Sequence, residues 1–381
     1  MPLSFVHTAD WHLGHTYWRI GRNATQSAQW RFDAVRRIWQ LAADHKADFV
    51  VVAGDVFDTD TPSESVRRQT IELLADAPAP VYLISGNHDP AAEGSVWFHD
   101  DFREQLSNLP HVHPALESRP VEAEGDCLLF PCPVTKKHTR ADATQWIPVG
   151  ERGERFRVGL AHGGWRGYFG GEEQTLNCIS SDCAHRAGLD YLALGDYHGF
   201  TPADHAAAKA RSFYAGTPEL TARDSMRAGH ALLVSLEEPG AQPKVSPHQV
   251  GKVSLLDLGV QHLRSGEDLE GLSTRFEGCN PDETILRVRL EGQVSPPVLK
   301  AATSWATQMR ESWLGADIDL GKLRALPGRG DFAPLKLEPL EEALLALLES
   351  PLEDAARVSD WSLDERARQE ALALYFRVLG G

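Results

Sequence analysis

Five stretches of this chain set metal-ligating side chains at close spacing: Asp10-x-His12, Asp55-x-x-Asp58, Asn87-His88-Asp89, His162 and Asp196-x-His198. In extended backbone, side chains two residues apart point the same way. Asp10 with His12, and Asp196 with His198, are each expected to aim one oxygen and one nitrogen at a common cation. Asp10, His12, Asp55, Asn87, His162, Asp196 and His198 together offer carboxylate, amide and imidazole donors and no thiolate. Such a set favours Mn²⁺, Fe²⁺ or Zn²⁺ over a structural zinc site built on cysteine. With one shared carboxylate it suits two adjacent ions, which at a separation of roughly 3.5–4 Å can clamp a phosphate for in-line attack. Any one of these residues alone is an ordinary turn former after a strand. Five in series, each directly behind an apolar run, point to a metal centre organised around Asp55.

The elements that must position them are legible as apolar runs. Residues 49–52 (FVVV) read as a strand buried on both faces, ending at Ala53-Gly54 and then Asp55. Ligand sites of open α/β sheets lie just past such strand ends. Residues 3–8, 81–84, 157–161 and 191–194 repeat the pattern ahead of Asp10, Asn87, His162 and Asp196. Further strands are expected over 127–130, 212–215, 231–236 and 244–250. An apolar stripe of Trp30, Val35, Ile38, Trp39 and Leu41 predicts a helix over 26–45. Thr61-Pro62-Ser63-Glu64 reads as a capping box that starts another. From Lys252 the order becomes β-α-β-α-β, which suggests a small α+β domain. Leu326 to Asp331, with a proline and two glycines, reads as a linker, and two amphipathic helices are expected over 340–348 and 363–379. The expected domains are therefore 1–250, 251–325 and 332–381.

Composition bounds the function. The chain of 381 residues is 42% apolar and 24% charged, ordinary for a globular protein. Its formal charge of −16 argues against a generally basic nucleic-acid binder. It leaves room for a local basic groove or for metal ions that face phosphates. Five scattered cysteines point to a reducing compartment, and Cys178 with Cys183 lack the second pair a zinc knuckle needs. The N-terminus shows no signal-peptide pattern, and no apolar run approaches the roughly 20 residues that span a bilayer. A cytoplasmic protein without membrane contact is the expectation. His7 lies inside a strand and is expected in the core, while His15 lies close enough to the first motif to touch substrate or the ligands' surroundings.

Asp10-x-His12, Gly54-Asp55-x-x-Asp58, Gly86-Asn87-His88-Asp89, His162 and Gly195-x-x-His198 together resemble the calcineurin-like binuclear metallophosphoesterase superfamily. Within it, HTADWHLGH, VVAGDVFDTDTP, ISGNHD, LLFPCPV and FYAGTPE are similar to the SbcD-type nucleases of DNA double-strand-break repair. The resemblance is strong over about residues 1–250. It implies an α/β fold: a four-layer β-sandwich flanked by helices, with a small α+β cap domain and a C-terminal helical tail. It implies that Asp10, His12 and His198 hold a first metal, Asn87, His162 and Asp196 a second, and that Asp55 bridges them. His88 would contact the scissile phosphate or protonate the leaving oxygen, with Asp58 orienting it. The family normally has Gly-His-x-His where this chain has Gly195-Asp196-Tyr197-His198. An anionic oxygen there favours harder cations, so two Mn²⁺ are expected, with Fe²⁺, Mg²⁺ or Zn²⁺ as substitutes. Trp18, Arg22, Trp165 and Arg166 follow metal motifs and are candidates to stack on bases or take phosphates of DNA. The implied function is a Mn²⁺-dependent DNA exonuclease or endonuclease in repair and recombination, a homodimer working beside an SbcC-like coiled-coil ATPase that the tail would grip. The alternatives are a small-substrate phosphodiesterase or phosphatase, and a non-catalytic scaffold for the ATPase.

Overall fold

The computed structural model describes residues 1–15, 24–150, 153–165, 177–202, 210–220, 227–327, 329–332, 338–349 and 365–379. The chain divides into two compact units, Met1–Ser254 and Leu255–Gly381. In the first unit the order is β1 (Leu3–Thr8), α1 (Ala24–Asp44), β2 (Phe49–Val52), α2 (Glu64–Ala75), β3 (Val81–Leu83), α3 (Asp100–Ser107), β4 (Val112–Pro114), β5 (Val121–Ala123) and β6 (Cys127–Cys132). Then come β7 (Phe156–His162), α4 (Cys183–Arg186), β8 (Tyr191–Gly195), β9 (Thr201–Pro202), β10 (Ser212–Tyr214), β11 (His230–Leu236) and β12 (Lys244–Gln249).

These strands form two six-stranded sheets, ordered β12-β11-β1-β2-β3-β4 and β5-β6-β7-β8-β10-β9. The central strands run parallel: β1 with β2, β2 with β3, β6 with β7, and β7 with β8. Strand alternation decides which side chains meet. Leu3, Phe5, Phe49, Val51 and Tyr82 of the first sheet pack against Leu129, Phe156, Val158, Leu160, Tyr191 and Ala193 of the second. The intervening Val6, Val50, Val52, Val81 and Leu83 turn outward onto Val35, Ile38 and Trp39 of α1, Leu73 and Leu74 of α2, and Phe102 of α3. On the far side, Phe130, Leu192, Leu194 and Tyr214 pack with Cys183 and Ala184 of α4. The unit is thus a four-layer α/β sandwich. Because β1, β2, β3, β7 and β8 are neighbours pointing the same way within their sheets, their C-terminal ends bring the ligand-bearing loops together.

His7 lies between the sheets as expected, fully buried, with Nδ1 2.9 Å from the Tyr191 hydroxyl. Ser63 caps α2, accepting from the Val66 N–H. In the second unit β13 (Ser254–His262), β14 (Thr284–Val294) and β15 (Gly315–Ala325) form one sheet. The helices α5 (Gly266–Ser273) and α6 (Pro296–Ser312) contribute Leu269, Leu272, Ala302 and Ala306 to its core. A short helix, α7 (Arg329–Phe332), overlaps the end of the segment read as a linker. Phe332 packs with Leu345 of α8 (Pro339–Glu349) and with Leu372 and Phe376 of α9 (Glu365–Val378).

Candidate metal centre

The stretch after β1 lies alongside the stretch after β2. Asp10, His12 and Leu13 donate their N–H groups to the carbonyls of Gly54, Asp55 and Val56 at 3.0, 3.0 and 2.9 Å. This ladder sets Asp10 beside Asp55. The backbone is not extended here, contrary to the expectation from spacing. Asp10, His12, Asp55 and Asp196 all have positive φ, at 52°, 45°, 51° and 99°. Aspartate and histidine are among the few non-glycine residues that tolerate this region. Two glycines are required by contact. A Cβ on Gly86 would lie 2.1 Å from Asp55 Oδ1, and one on Gly54, at φ +90°, would lie 2.4 Å from His162 Nδ1.

Three overlapping donor groups result: Asp10, His12 and His198; Asp10, Asp55 and His162; and His12, Asp55 and His88. His12 Nε2 is 3.2 Å from His198 Nε2 and 3.8 Å from Asp55 Oδ2. His162 Nδ1 donates to the Ala53 carbonyl at 2.9 Å, which aims Nε2 into the centre. There Nε2 lies 2.7 Å from Asn87 Oδ1, 3.5 Å from Asp55 Oδ2 and 3.8 Å from Asp196 Oδ1. Asp196 joins the cluster through its backbone as well, its N–H donating to both oxygens of Asp10 at 3.0 and 3.2 Å. Its side chain is the most open of the acidic ligands, at 34% exposure.

The electrostatics fit cations. Asp10 and Asp55 are buried, and among the described residues neither has a lysine or arginine within ion-pair distance. Burial pushes the Asp10 carboxyl up. Burial also opposes a charge on His162, yet Asp55, Asp10 and Asp196 outweigh it and raise that imidazole to about 9. Burial, followed by the His198 charge, pushes His12 well down, so it is neutral and able to donate a lone pair. Imidazoles, an amide oxygen and carboxylates converge here, and among the described residues no lysine or arginine pairs with the two buried carboxylates, which is the environment that divalent ions fill. Cys127, Cys132, Cys178 and Cys183 are buried, Cys279 is half-buried, and none of them belongs to a donor group.

Around this centre two side chains are placed differently from the sequence expectation. His88 is held by the main chain of Asp58, its Nδ1 donating to that carbonyl at 2.8 Å. The Asp58 carboxylate is 3.9 Å from the same nitrogen and instead accepts from His15 Nδ1 at 3.0 Å. His15 therefore occupies the carboxylate that was expected to orient His88. Trp165 does not present its ring for stacking: it is 4% exposed and packs in the outer core, its backbone N–H donating to the Tyr214 hydroxyl at 2.8 Å. Trp18, Arg22 and Arg166 lie outside the described residues.

Two contributors were given no role of their own by the sequence reading. Asp89 is fully buried and accepts from the N–H groups of Gly86 at 2.7 Å and Phe57 at 3.1 Å, tying the loop of Asn87 to that of Asp55. The Tyr214 hydroxyl donates to the Gly163 carbonyl at 2.9 Å, fixing the chain just past His162.

A model of the family described as calcineurin-like phosphoesterase matches residues 3–209. Among curated relatives, the SbcD subunit of the SbcCD nuclease of Staphylococcus epidermidis is 34% identical over 117 residues, 28% of this chain and 30% of that protein. The corresponding SbcD protein of Escherichia coli K12 is 32% identical over 95 residues, 24% of this chain and 22% of its own length. "DNA double-strand break repair protein Mre11" of Archaeoglobus fulgidus is 32% identical over 100 residues, covering 26% and 22%. The matched stretches span less than a third of each of these relatives. Among solved structures, TT1561 of Thermus thermophilus overlaps 66% of this chain and all of its own at 12% identity and a TM-score of 0.39. Among the described residues no helix is long and apolar enough to cross a membrane.

Proposed function

Because the chain belongs to the calcineurin-like phosphoesterase family, we propose that it is a Mn²⁺-dependent DNA phosphodiesterase, the nuclease subunit of a repair complex with an SbcC-like coiled-coil ATPase. The observation that carries this reading is the convergence of Asp10, His12, Asp55, His162 and His198 in overlapping donor groups with His88 at their edge. The names of the relatives, nuclease and double-strand-break-repair proteins, supply the substrate class.

In this reading Asp10, His12 and His198 hold one ion, Asn87, His162 and Asp196 the other, and Asp55 both. When bound, the ions supply Lewis-acid polarisation of the phosphate and activation of the attacking water. Asp196 adds a hard anionic oxygen, which favours Mn²⁺ over Zn²⁺. His88 is 41% exposed, with its backbone N–H donating to Asp55 Oδ1 at 2.8 Å. The bond from its Nδ1 to the Asp58 carbonyl leaves Nε2 free, and the imidazolium form would pass its Nε2 proton to the leaving oxygen. Both its position and its tautomer are thereby fixed from the Asp55–Asp58 loop.

The tail supports the ATPase. Leu340, Leu344 and Leu347 of α8 and Leu374 and Val378 of α9 are exposed, an apolar surface suited to a coiled-coil partner. A cytoplasmic homodimer completes the proposal. The test compares Mn²⁺-loaded protein on single-stranded DNA and on a nitrophenyl phosphodiester, alone and with the ATPase. Cleavage of the small ester and of no DNA under either condition refutes the nuclease reading. His88→Ala is expected to abolish DNA cleavage while the manganese content by mass spectrometry stays near that of the wild type; undiminished cleavage refutes the role of His88.

A further inference from the structure

The loop that leaves β6 carries Lys136, Lys137, His138 and Arg140, with no acidic residue among positions 135–141. In a chain with 54 acidic and 38 basic residues, such a run stands against the background charge. All four side chains are solvent-accessible. Elsewhere on the surface, Arg155 pairs with Glu122 and Asp126, Lys244 with Glu237, and Arg289 with Asp319. Lys136, Lys137 and Arg140 have no carboxylate within ion-pair distance among the described residues. The nearest acid in sequence, Asp142, is buried and turned inward, accepting from the backbone N–H and hydroxyl of Thr144 and from the Ser180 N–H.

The loop's two ends are fastened to the loops that carry Asn87, His88 and His162. At its start, the Val134 N–H donates to the Ser85 carbonyl at 3.2 Å, and the Val134 carbonyl accepts from the Ser85 hydroxyl at 2.8 Å and the Ala91 N–H at 2.7 Å. Those contacts bracket Asn87 and His88. Further on, Asn177 grips the loop three times. Its Nδ2 donates to the Lys137 carbonyl at 3.0 Å, its Oδ1 accepts from the Thr139 N–H at 3.0 Å, and its own N–H donates to the Thr139 carbonyl at 2.8 Å. The Asn177 carbonyl in turn accepts from the Gly164 N–H at 3.1 Å. A Cβ on Gly163, next to His162, would lie 1.9 Å from that carbonyl. Asn177 is buried with φ +51°, a conformation held only where the surroundings over-determine it. The loop backbone is therefore fixed while its cations face solvent. Lys136 is two residues past Val134, so no more than about 7 Å of chain separates it from the contact with Ser85.

We infer that Lys136, Lys137 and Arg140 form a track for the sugar–phosphate backbone of DNA, leading the strand to the metal centre. The inference rests on the DNA reading above and adds to it where the strand runs. Cations on a fixed backbone, with no carboxylate within ion-pair distance among the described residues, gain counterion-release energy from a polyanion, and charge of this kind positions a strand without reading its sequence.

The triple substitution Lys136→Gln, Lys137→Gln, Arg140→Gln tests it, since every loop-anchoring bond named above is to backbone or to Asn177. Binding of Mn²⁺-loaded full-length protein to a fluorescein-labelled, nuclease-resistant phosphorothioate duplex is followed by anisotropy across a salt series. Three lost phosphate contacts are expected to reduce the slope of log K against log salt by about 2–3. Wild-type binding with the same slope in the variant overturns the track and leaves the nuclease reading standing. A wild-type protein that binds no DNA overturns both.

Discussion

His7 gives the sharpest test of the packing between the two sheets. It is fully buried beside Tyr191, and burial lowers its pKa to about 3. In the unfolded chain it titrates at the ordinary imidazole value of 6.5. Below pH 6.5 the unfolded state takes up a proton that the native state refuses until about pH 3. The stability conferred by the neutral imidazole is thus complete above pH 6.5 and is lost as the pH falls toward 3. At 1.36 kcal/mol per pH unit, going from pH 7 to pH 5 removes about 2 kcal/mol through this one group. Any native value below about 4 gives the same figure, because pH 5 then still lies above it. The measurement is urea unfolding of EDTA-treated protein at both pH values, for wild type and His7→Asn. Asparagine keeps a polar partner for the Tyr191 hydroxyl and does not titrate. Its cavity lowers stability equally at both pH values, so only the difference between them is read. The wild type is expected to lose about 2 kcal/mol more than the variant over this interval. Equal losses would refute the buried, neutral His7.

Two further substitutions test the construction of the site. Gly86→Ala places a methyl 2.1 Å from Asp55 Oδ1 and 2.5 Å from its backbone nitrogen. Asp55 must move, so manganese affinity by isothermal titration is expected to fall about 10–100-fold, and unchanged affinity refutes the shared-ligand role of Asp55. Arg31 is fully buried and donates to the Trp11 carbonyl at 3.2 Å and the Leu220 carbonyl at 3.4 Å. Buried Glu219, pushed up by burial while the Arg31 charge holds it down, accepts from Leu220, Lys252 and Val253. Arg31→Met removes that charge and the donors to two carbonyls, while Glu219 keeps Arg37 at 3.8 Å and its backbone N–H groups, and is expected to cost about 1–3 kcal/mol. Adding Glu219→Gln is expected to recover part of the loss in urea unfolding, and a double variant no more stable than the single one refutes the charge coupling.

What could be read from the sequence was local. An apolar run followed by Asp10, Asp55, Asn87, His162 or Asp196 places both strand and ligand within ten residues, and the structure keeps every one of those strands. What could not be read depends on pairings far apart in the chain. The bond between His15 and Asp58 joins residues 43 apart, and it gives the Asp58 carboxylate a hydrogen-bond partner other than His88. Asp89 reads as one more polar turn residue until its two oxygens are found on Gly86 and Phe57. Trp165 follows a ligand as a substrate-stacking aromatic would, but its ring belongs to the outer core with Ile179 and Cys183. β4 and β5, of three residues each, and β9, of two, are too short to show a period.

The positive φ angles at Asp10, His12, Asp55 and Asp196 show how the centre is held. Each such residue costs on the order of 1–3 kcal/mol and persists only where its neighbours leave no alternative. Three of the four are locked by the paired loops, in which Asp10 and His12 bond to the carbonyls of Gly54 and Asp55, and by the Gly86 backbone, too close to Asp55 for any side chain. Arg31 adds a bond to the carbonyl of Trp11, between Asp10 and His12. Asp196 is held through its N–H, which donates to the Asp10 carboxylate, and its side chain is one-third open. Rigidity is therefore concentrated on the Asp10, His12 and Asp55 side of the centre. The freer carboxylate is also the one at which this chain departs from the Gly-His-x-His pattern, so under the proposed assignment the ligand at that position has room to adjust to the ion.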